Sequence, residues 1–266
     1  MNITVCIKQV PGTSEVEVDE KTGVLKREGV DSKMNPFDLF AIESALKIKE
    51  KNHAAINVLS MGPPQTAEII REAFMMGADN GFLLSDRRFA GSDVLATAYT
   101  LSQGIRKIGD CELIICGKQT TDGDTAQVGP EIAEFLNIPH VTNVKKIIEA
   151  GEKDITLEVD LPHRVETVRV KYPCLITVEK DIFQPRLPSF RLKLATEDKE
   201  VTVYSLDDFE DKDKDNYGLS GSPTQVRRIF PPASNDTHEL WEGSSADLSG
   251  RLCECLREMK FTEGVR

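Results

Sequence analysis

Residues 111–136 read CELIICGKQTTDGDTAQVGPEIAEFL. A continuous apolar run, Cys111–Cys116, opens into a long polar loop, and apolar positions at helical spacing follow over Ala126–Leu136. An unbroken apolar run is the mark of a strand covered on both faces, and such strands belong to parallel sheets. Outward from this unit the same grammar recurs. Ile3–Val10, Ala54–Met61 and Gly81–Leu84 are further strand-like runs, separated by helical patterns at Asp38–Glu50, Gln65–Met76 and Asp93–Ile108. The first helix carries Leu39, Ile42, Ala45 and Leu46 on one stripe, with Glu43, Lys47 and Glu50 opposite; Asn35 stands at its cap and Pro36 at its first position. The alternation predicts an α/β fold, a doubly wound and mostly parallel sheet.

An insertion interrupts the first unit: Val16–Asp19 and Val24–Arg27, joined through Lys21-Thr22-Gly23, read as a surface hairpin. After residue 140 the helices stop. Val144–Ile148, Ile155–Leu161, Glu166–Lys171 and Leu175–Glu179 read as a strand meander that extends or caps the sheet. From Asp181 the chain reads as an arm in which Gln184-Pro185-Arg186 and Leu187-Pro188-Ser189 resist regular structure. Glu197–Asp215 holds nine acidic and three basic residues, a solvated linker or an interaction tail. Ala246–Lys260 is an amphipathic helix with Leu248, Leu252, Leu256 and Met259 on one stripe. The expected organisation is an α/β domain over 1–195, an acidic extended arm over 196–236 and a C-terminal helix within 237–266 that docks on another chain.

Composition narrows the function. The 266 residues carry 33 Lys+Arg against 44 Asp+Glu, a net charge of −11. With no compensating basic run, that field repels nucleic acid. No apolar stretch approaches the roughly 20 residues needed for membrane insertion. The first ten residues, MNITVCIKQV, read as a strand and not as a targeting leader. Cys6, Cys111, Cys116, Cys174, Cys253 and Cys255 show no C-x-x-C spacing, so they read as free thiols in a reducing cytoplasm, and no metal site is expected.

The catalytic inventory is negative. There is no G-x-S-x-G elbow, no H-E-x-x-H, no P-loop and no G-x-G-x-x-G. Ser44-x-x-Lys47 lies on an ordinary amphipathic helix. His53, His140, His163 and His238 occupy unrelated contexts and read as loop or surface residues, so no catalytic residue is expected to stand alone. What remains are loops at the carboxyl ends of the strands, where α/β sheets bind ligands. Lys8 follows the first strand, and Met61-Gly62-Pro63 ends the second. Gly91 and Asp93 precede the helix after the third, and Gly117–Val128 follows the fourth. Gly62 and Gly91 would let a ligand approach the backbone, helix starts at Gln65, Asp93 and Ala126 offer N–H groups, and Lys8 or Arg87 would offset phosphate charge. Asp122 and Asp124, being anionic, are expected to brace the loop or accept from ribose or adenine. Together these loops suggest a nucleotide cleft.

Asn35-Pro36-Phe37-Asp38 with Ala41-Ile42-Glu43-x-Ala45-Leu46 resembles a block of the electron-transfer flavoprotein beta (small) subunits. So, in order and spacing, do Met61-Gly62-Pro63, Met76-Gly77-Ala78-Asp79, the Gly117-Lys118-Gln119 loop through Gly129, Pro162–Lys171 followed by Pro173, and Pro185-Arg186. The resemblance runs over about the whole chain. It implies a Rossmann-like fold of the adenine nucleotide alpha hydrolase kind and an obligate heterodimer with an alpha subunit that carries FAD. It also implies electron exchange with an FAD-dependent dehydrogenase, and a beta-subunit nucleotide that is either AMP or a second FAD. Carried over by position, the nucleotide contacts fall on Cys6, on Asn35, Pro36, Phe37 and Asp38, on Met61, and on Gly117, Lys118, Gln119, Thr120, Thr121, Asp122, Gly123, Asp124, Thr125, Ala126, Gln127 and Val128. Pro185–Lys193 corresponds to the loop that grips the dehydrogenase, with Leu187 and Phe190 as anchors and Arg186 and Arg191 at the rim; from the residues alone, a Pro-kinked surface strand is the competing reading.

AMP-holding members commonly read D-D-D-x-N-Q-T where this chain reads Asp122-Gly123-Asp124-Thr125-Ala126-Gln127-Val128. The variant looks like that of the electron-bifurcating members, which implies FAD in this chain, NAD(H) as substrate and a low-potential acceptor such as ferredoxin. The competing readings are a subunit that keeps AMP as a packing ligand and a stand-alone adenine-nucleotide-binding module.

Overall fold

The N-terminal apolar run forms β1, Asn2–Cys6, and then breaks: β2, Gln9–Pro11, turns away to pair antiparallel with β3, Ser32–Met34. The expected single strand to Val10 is therefore two elements. The computed structural model describes residues 1–12, 32–227 and 238–261, so the hairpin expected over 16–27 lies outside the described residues. Three βα units follow the ribbon. They are α1 (Pro36–Asn52) with β4 (Ala55–Met61), α2 (Ala67–Met76) with β5 (Asn80–Leu84), and α3 (Val94–Ile108) with β6 (Leu113–Gly117). Helix α4, Val128–Leu136, then leads to β7, His140–Ala150, β8, Asp154–Leu161, β9, Arg164–Lys171, and β10, Cys174–Val178.

Among the described residues the main sheet has nine strands in the order β11-β5-β4-β1-β6-β10-β7-β8-β9, where β11 is Thr202–Tyr204. Every pairing is parallel except β7–β8 and β8–β9. From β1 the chain first builds outward through β4 and β5, then crosses back to place β6 on the other side of β1. The strand order thus reverses between β1 and β6, the place where open α/β sheets bind ligands at the carboxyl ends of their strands. The two faces are sealed by separate apolar clusters. Ile3, Val5, Ile56 and Ile115 pack against α1 and α2, while Leu59, Ile114, Cys116 and Leu175 pack with residues of α3 and α4.

Three expectations are corrected. Leu175–Glu179 is not the last strand of a meander, because β10 inserts between β6 and β7 as a buried parallel strand. Glu197–Asp215 is not a solvated linker: β11 pairs with β5, and Leu206, Phe209 and Tyr217 are buried beside Phe89. Glu43 does not face solvent on α1 but is 2% exposed, covered by the arm after Asp181. Arg186 reaches back 143 residues to bind both Glu43 oxygens at 2.8 Å and Glu50 at 2.7 Å. The arm then forms α5, Phe190–Ala195, whose cap residue Ser189 donates its N–H to the Met75 carbonyl of α2 at 2.9 Å.

The chain forms two compact units, Met1–Arg228 and Ile229–Arg266. In the second, α6 runs from Ser245 to Glu258 behind a Ser244 side-chain cap, and none of its residues is buried. Among the described residues no helix is long and apolar enough to cross a membrane.

Candidate functional site

A cavity of about 580 Å³ opens at the reversal point, lined by the segments after β1, β4 and β6, the start of α3, and the loop into α4. That volume lies within the range of small-molecule and cofactor sites. Of the nucleotide-contact residues expected from sequence, it brings together Cys6, Lys8, Asp38, Met61, Gly62, Pro63, Gly91, Asp93, Gly117, Lys118, Gln119, Thr120, Asp122, Gly123, Thr125, Ala126, Gln127 and Val128. Asn35, Pro36, Phe37, Thr121 and Asp124 are not part of this lining.

Asn35, Thr121 and Asp124 instead brace the loop. Asn35 is fully buried. It does not cap α1 with its side chain. Its Nδ2 donates to Asp38 Oδ1 and to the Gln119 carbonyl, both at 2.9 Å, and its Oδ1 accepts from the Thr121 N–H at 3.3 Å. Asp38 in turn accepts the Lys8 N–H at 2.7 Å and is hydrogen-bonded by the Gly117 N–H. One carboxylate therefore ties together the ends of β1 and β6. Burial pushes Asp38 up to about 7, while the hydrogen bonds from Asn35, Lys8 and Gly117 hold it back. The contact is close enough to demand glycine: a Cβ on Gly117 would lie 2.5 Å from Asp38 Oδ1 and 2.8 Å from the Phe37 backbone.

Beyond Gln119 the loop braces itself. Gln119 Nε2 donates to Asp124, and the Asp124 N–H to the Thr120 carbonyl. Asp124 and Ala126 both take left-handed φ values, 54° and 55°, a conformation that L-residues adopt at a cost. Ala126 thus cannot belong to the helix, and α4 begins at Val128 rather than at the expected Ala126. No side chain caps α4 among the described residues, so its first N–H groups remain available at the cavity wall, where they suit an anion.

The remaining cations and helix ends are spoken for to different degrees. Lys118 Nζ binds Glu179 at 2.6 Å. Lys8 Nζ binds both oxygens of Asp122, at 2.8 and 2.7 Å; burial works against the Asp122 charge, but the Lys8 bonds outweigh it and keep the carboxyl below its ordinary value. Arg87 does not line the cavity. The start of α3 is not free, because Asp93 caps it through Ala96 N–H at 3.1 Å and also accepts from Thr224. Gly62 is required by its own turn, where a Cβ would strike the Thr66 hydroxyl. Lys8, though paired with Asp122, the uncapped start of α4, and the uncapped turn Pro64–Thr66 that leads into α2 are the donors at the cavity that suit an anion.

Sequence reasoning missed Cys116, Thr97, Phe89 and Leu101, which also line the cavity. Strand pairing places Cys116 directly opposite Cys6, a register that no local pattern announces. Phe89 and Leu101 form an apolar wall at the α3 side. Among the described residues no group of three His, Cys, Asp or Glu gathers to hold a metal. The expected partner residues lie elsewhere: Leu187 and Phe190 are 86% and 72% exposed on the arm, and Arg191 is exposed. Arg186 is held by Glu43 and Glu50 instead of standing free at a rim.

Comparison with known proteins agrees with this architecture. A family model described as the electron transfer flavoprotein domain matches residues 22–209. An electron transfer flavoprotein subunit beta of Clostridium acetobutylicum is 47% identical over 261 residues, 98% of this chain and 100% of that protein. One from Thermoanaerobacterium thermosaccharolyticum is 45% identical over 257 residues, 96% of this chain and 98% of the other. The caffeyl-CoA reductase-Etf complex subunit CarD of Acetobacterium woodii is 41% identical over 260 residues, covering 97% and 98% of the two chains.

Proposed function

The chain belongs to the electron-transfer flavoprotein beta subunits, and from that premise we propose that its cleft holds FAD. In this role the chain passes electrons between NAD(H), the FAD of an alpha subunit, a flavin dehydrogenase and a low-potential acceptor such as ferredoxin, in the cytoplasm. The observation that carries the reading is the pairing of Lys8 with the uncapped start of α4 on one cavity at the β1–β6 reversal. Both favour a diphosphate. The cavity also reaches Val10, Pro11 and Ser32 on the β2–β3 ribbon, and Ala126 and Val128 give it apolar surface where AMP-holding members present polar groups. Similarity to a subunit named for a caffeyl-CoA reductase complex supports a dehydrogenase partner.

FAD, when bound, supplies the redox chemistry, and the protein binds, orients and shields it. Lys8 would offset phosphate charge, the α4 N–H groups would receive phosphate oxygens, and Asp38 would keep the β1 and β6 ends in register beneath the nucleotide. Anaerobic titration of the purified complex with NADH tests the reading: flavin absorbance should bleach without added dehydrogenase. A flavin that NADH leaves oxidised would contradict it.

A further inference from the structure

Cys6 and Cys116 are register partners on the adjacent parallel strands β1 and β6. Paired positions on neighbouring strands lie about 4.8 Å apart with their side chains on the same face, within the Cα separation that two bridged cysteines tolerate. Both thiols belong to the apolar cluster on the α3–α4 side of the sheet, and both line the cavity. They are 9% and 7% exposed, so the cleft gives them their access. Hydrogen bonding to the Cys116 thiol, together with burial, pushes the Cys6 thiol well up. None of the functions argued above uses this pair as a pair.

The other four cysteines differ in geometry. Cys111 Sγ donates to Thr4 Oγ1 at 3.2 Å. Cys174 packs in the cluster on the opposite face of the sheet. Cys253 and Cys255 stand two apart on α6, a spacing that does not bring helical side chains together.

We propose that Cys6 and Cys116 form a dithiol site at the floor of the cleft that binds trivalent organoarsenicals. An arsenical of the form R–As=O reacts with the two thiols to give R–As bonded to both sulfurs and one water. Two S–H bonds and the As–O bonds break, two As–S bonds form, and both protons leave with the oxygen. Arsenic stays trivalent and no electrons are exchanged, so protonated thiols suffice and no oxidant is needed. Phe89 and Leu101 line the same cavity and offer an apolar seat for the R group. A bridge at this point would occupy the floor of the nucleotide cleft.

The experiment adds phenylarsine oxide to the nucleotide-stripped complex, washes with excess 2-mercaptoethanol and maps the peptides by mass spectrometry. The expected product is one phenylarsenic unit joining the peptide of Cys6 to that of Cys116, stable to the monothiol and released by 2,3-dimercaptopropanol. The adduct should be lost in C6S and in C116S and retained in a C253S/C255S variant. Absence of the cross-linked peptide in the wild-type protein would overturn the proposal, as would an adduct that maps to Cys253 and Cys255. The wild-type map decides the matter even where a substitution disturbs folding. The proposal does not rest on the identity of the nucleotide: a bridged pair that forms equally with FAD or AMP present upholds the dithiol and counts against the nucleotide reading.

Discussion

Lys8 and Asp122, one beyond the end of β1 and the other in the loop after β6, join the two sides of the cleft through a two-oxygen ion pair, with Nζ 2.8 Å from Oδ1 and 2.7 Å from Oδ2. Asp122 occupies Lys8, so a nucleotide phosphate bound there as proposed would exchange one anion for another. Partly exposed ion pairs of this kind are worth up to about 1 kcal/mol. Asp122→Asn should therefore raise the affinity of the nucleotide-stripped protein for AMP by about two- to five-fold while leaving adenosine unchanged. Calorimetric titration with both ligands reads the difference. Equal effects on AMP and adenosine would show that the pair merely shapes the loop.

The Arg186–Glu43 pair is the second long-range tie, and it holds the arm to α1. Glu43 is nearly inaccessible, and its other cation, Lys47, is more distant at 3.7 Å. Removing the guanidinium leaves the buried carboxylate only the residue-186 backbone N–H, at 3.1 Å, so Arg186→Met should cost about 1–3 kcal/mol in urea unfolding. Limited proteolysis should then cut between residues 181 and 196 faster than in the wild type. An arm equally resistant in the variant would contradict this anchoring.

Acid sensitivity should centre on Asp86. Its hydrogen bonds from the Arg88 guanidinium, with those from the Arg88 and Leu206 N–H groups, hold it down at about 2 against an ordinary 3.8. A depressed carboxyl stabilises the fold fully above the unfolded value, and that contribution fades as pH falls through the folded one. The wild type should thus lose stability between about pH 4 and pH 2 more steeply than Asp86→Asn, followed by denaturant midpoint. Identical slopes would remove Asp86 from the account. Because Asp86 also receives Leu206 N–H, the variant should loosen the 202–217 segment at neutral pH.

Helix α6 presents a test of partner docking. Leu252 and Met259 are 51% and 62% exposed, and with Leu248 and Leu256 they form one stripe. Each leucine-sized side chain fully buried on a partner contributes roughly 1.5–3 kcal/mol. Leu252→Asp combined with Leu256→Asp should keep the helix, by circular dichroism, and lose the co-purifying alpha subunit on gel filtration. An intact heterodimer would mean that this stripe is not the anchor.

The parts of the molecule legible in sequence are those encoded locally. The βα alternation from β1 to α4 was readable because each buried parallel strand is an unbroken apolar run, and each loop at its end is polar and glycine-rich. The loop from Gly117 to Val128 stood out for its length, and the structure brings most of it to the cavity. What escaped depends on distant pairing. Thr202-Val203-Tyr204 is three residues amid acidic charge, and only the open edge of β5 makes it a strand. Glu43 looks like any solvent-facing helix residue until Arg186 arrives from 143 positions away. Leu175–Val178 is as apolar as any core strand, yet its place between β6 and β7 follows from a crossover that periodicity does not specify. The Cys6–Cys116 contact is of the same kind, a product of register.

The central claim is the identity of the nucleotide in the cleft formed by Lys8, the Asp38-tied strand ends and the uncapped start of α4. It is tested most directly by purifying the heterodimer without added cofactor, denaturing it and quantifying the released nucleotides by chromatography. The account predicts two FAD per heterodimer and no AMP. One FAD accompanied by one AMP would contradict it.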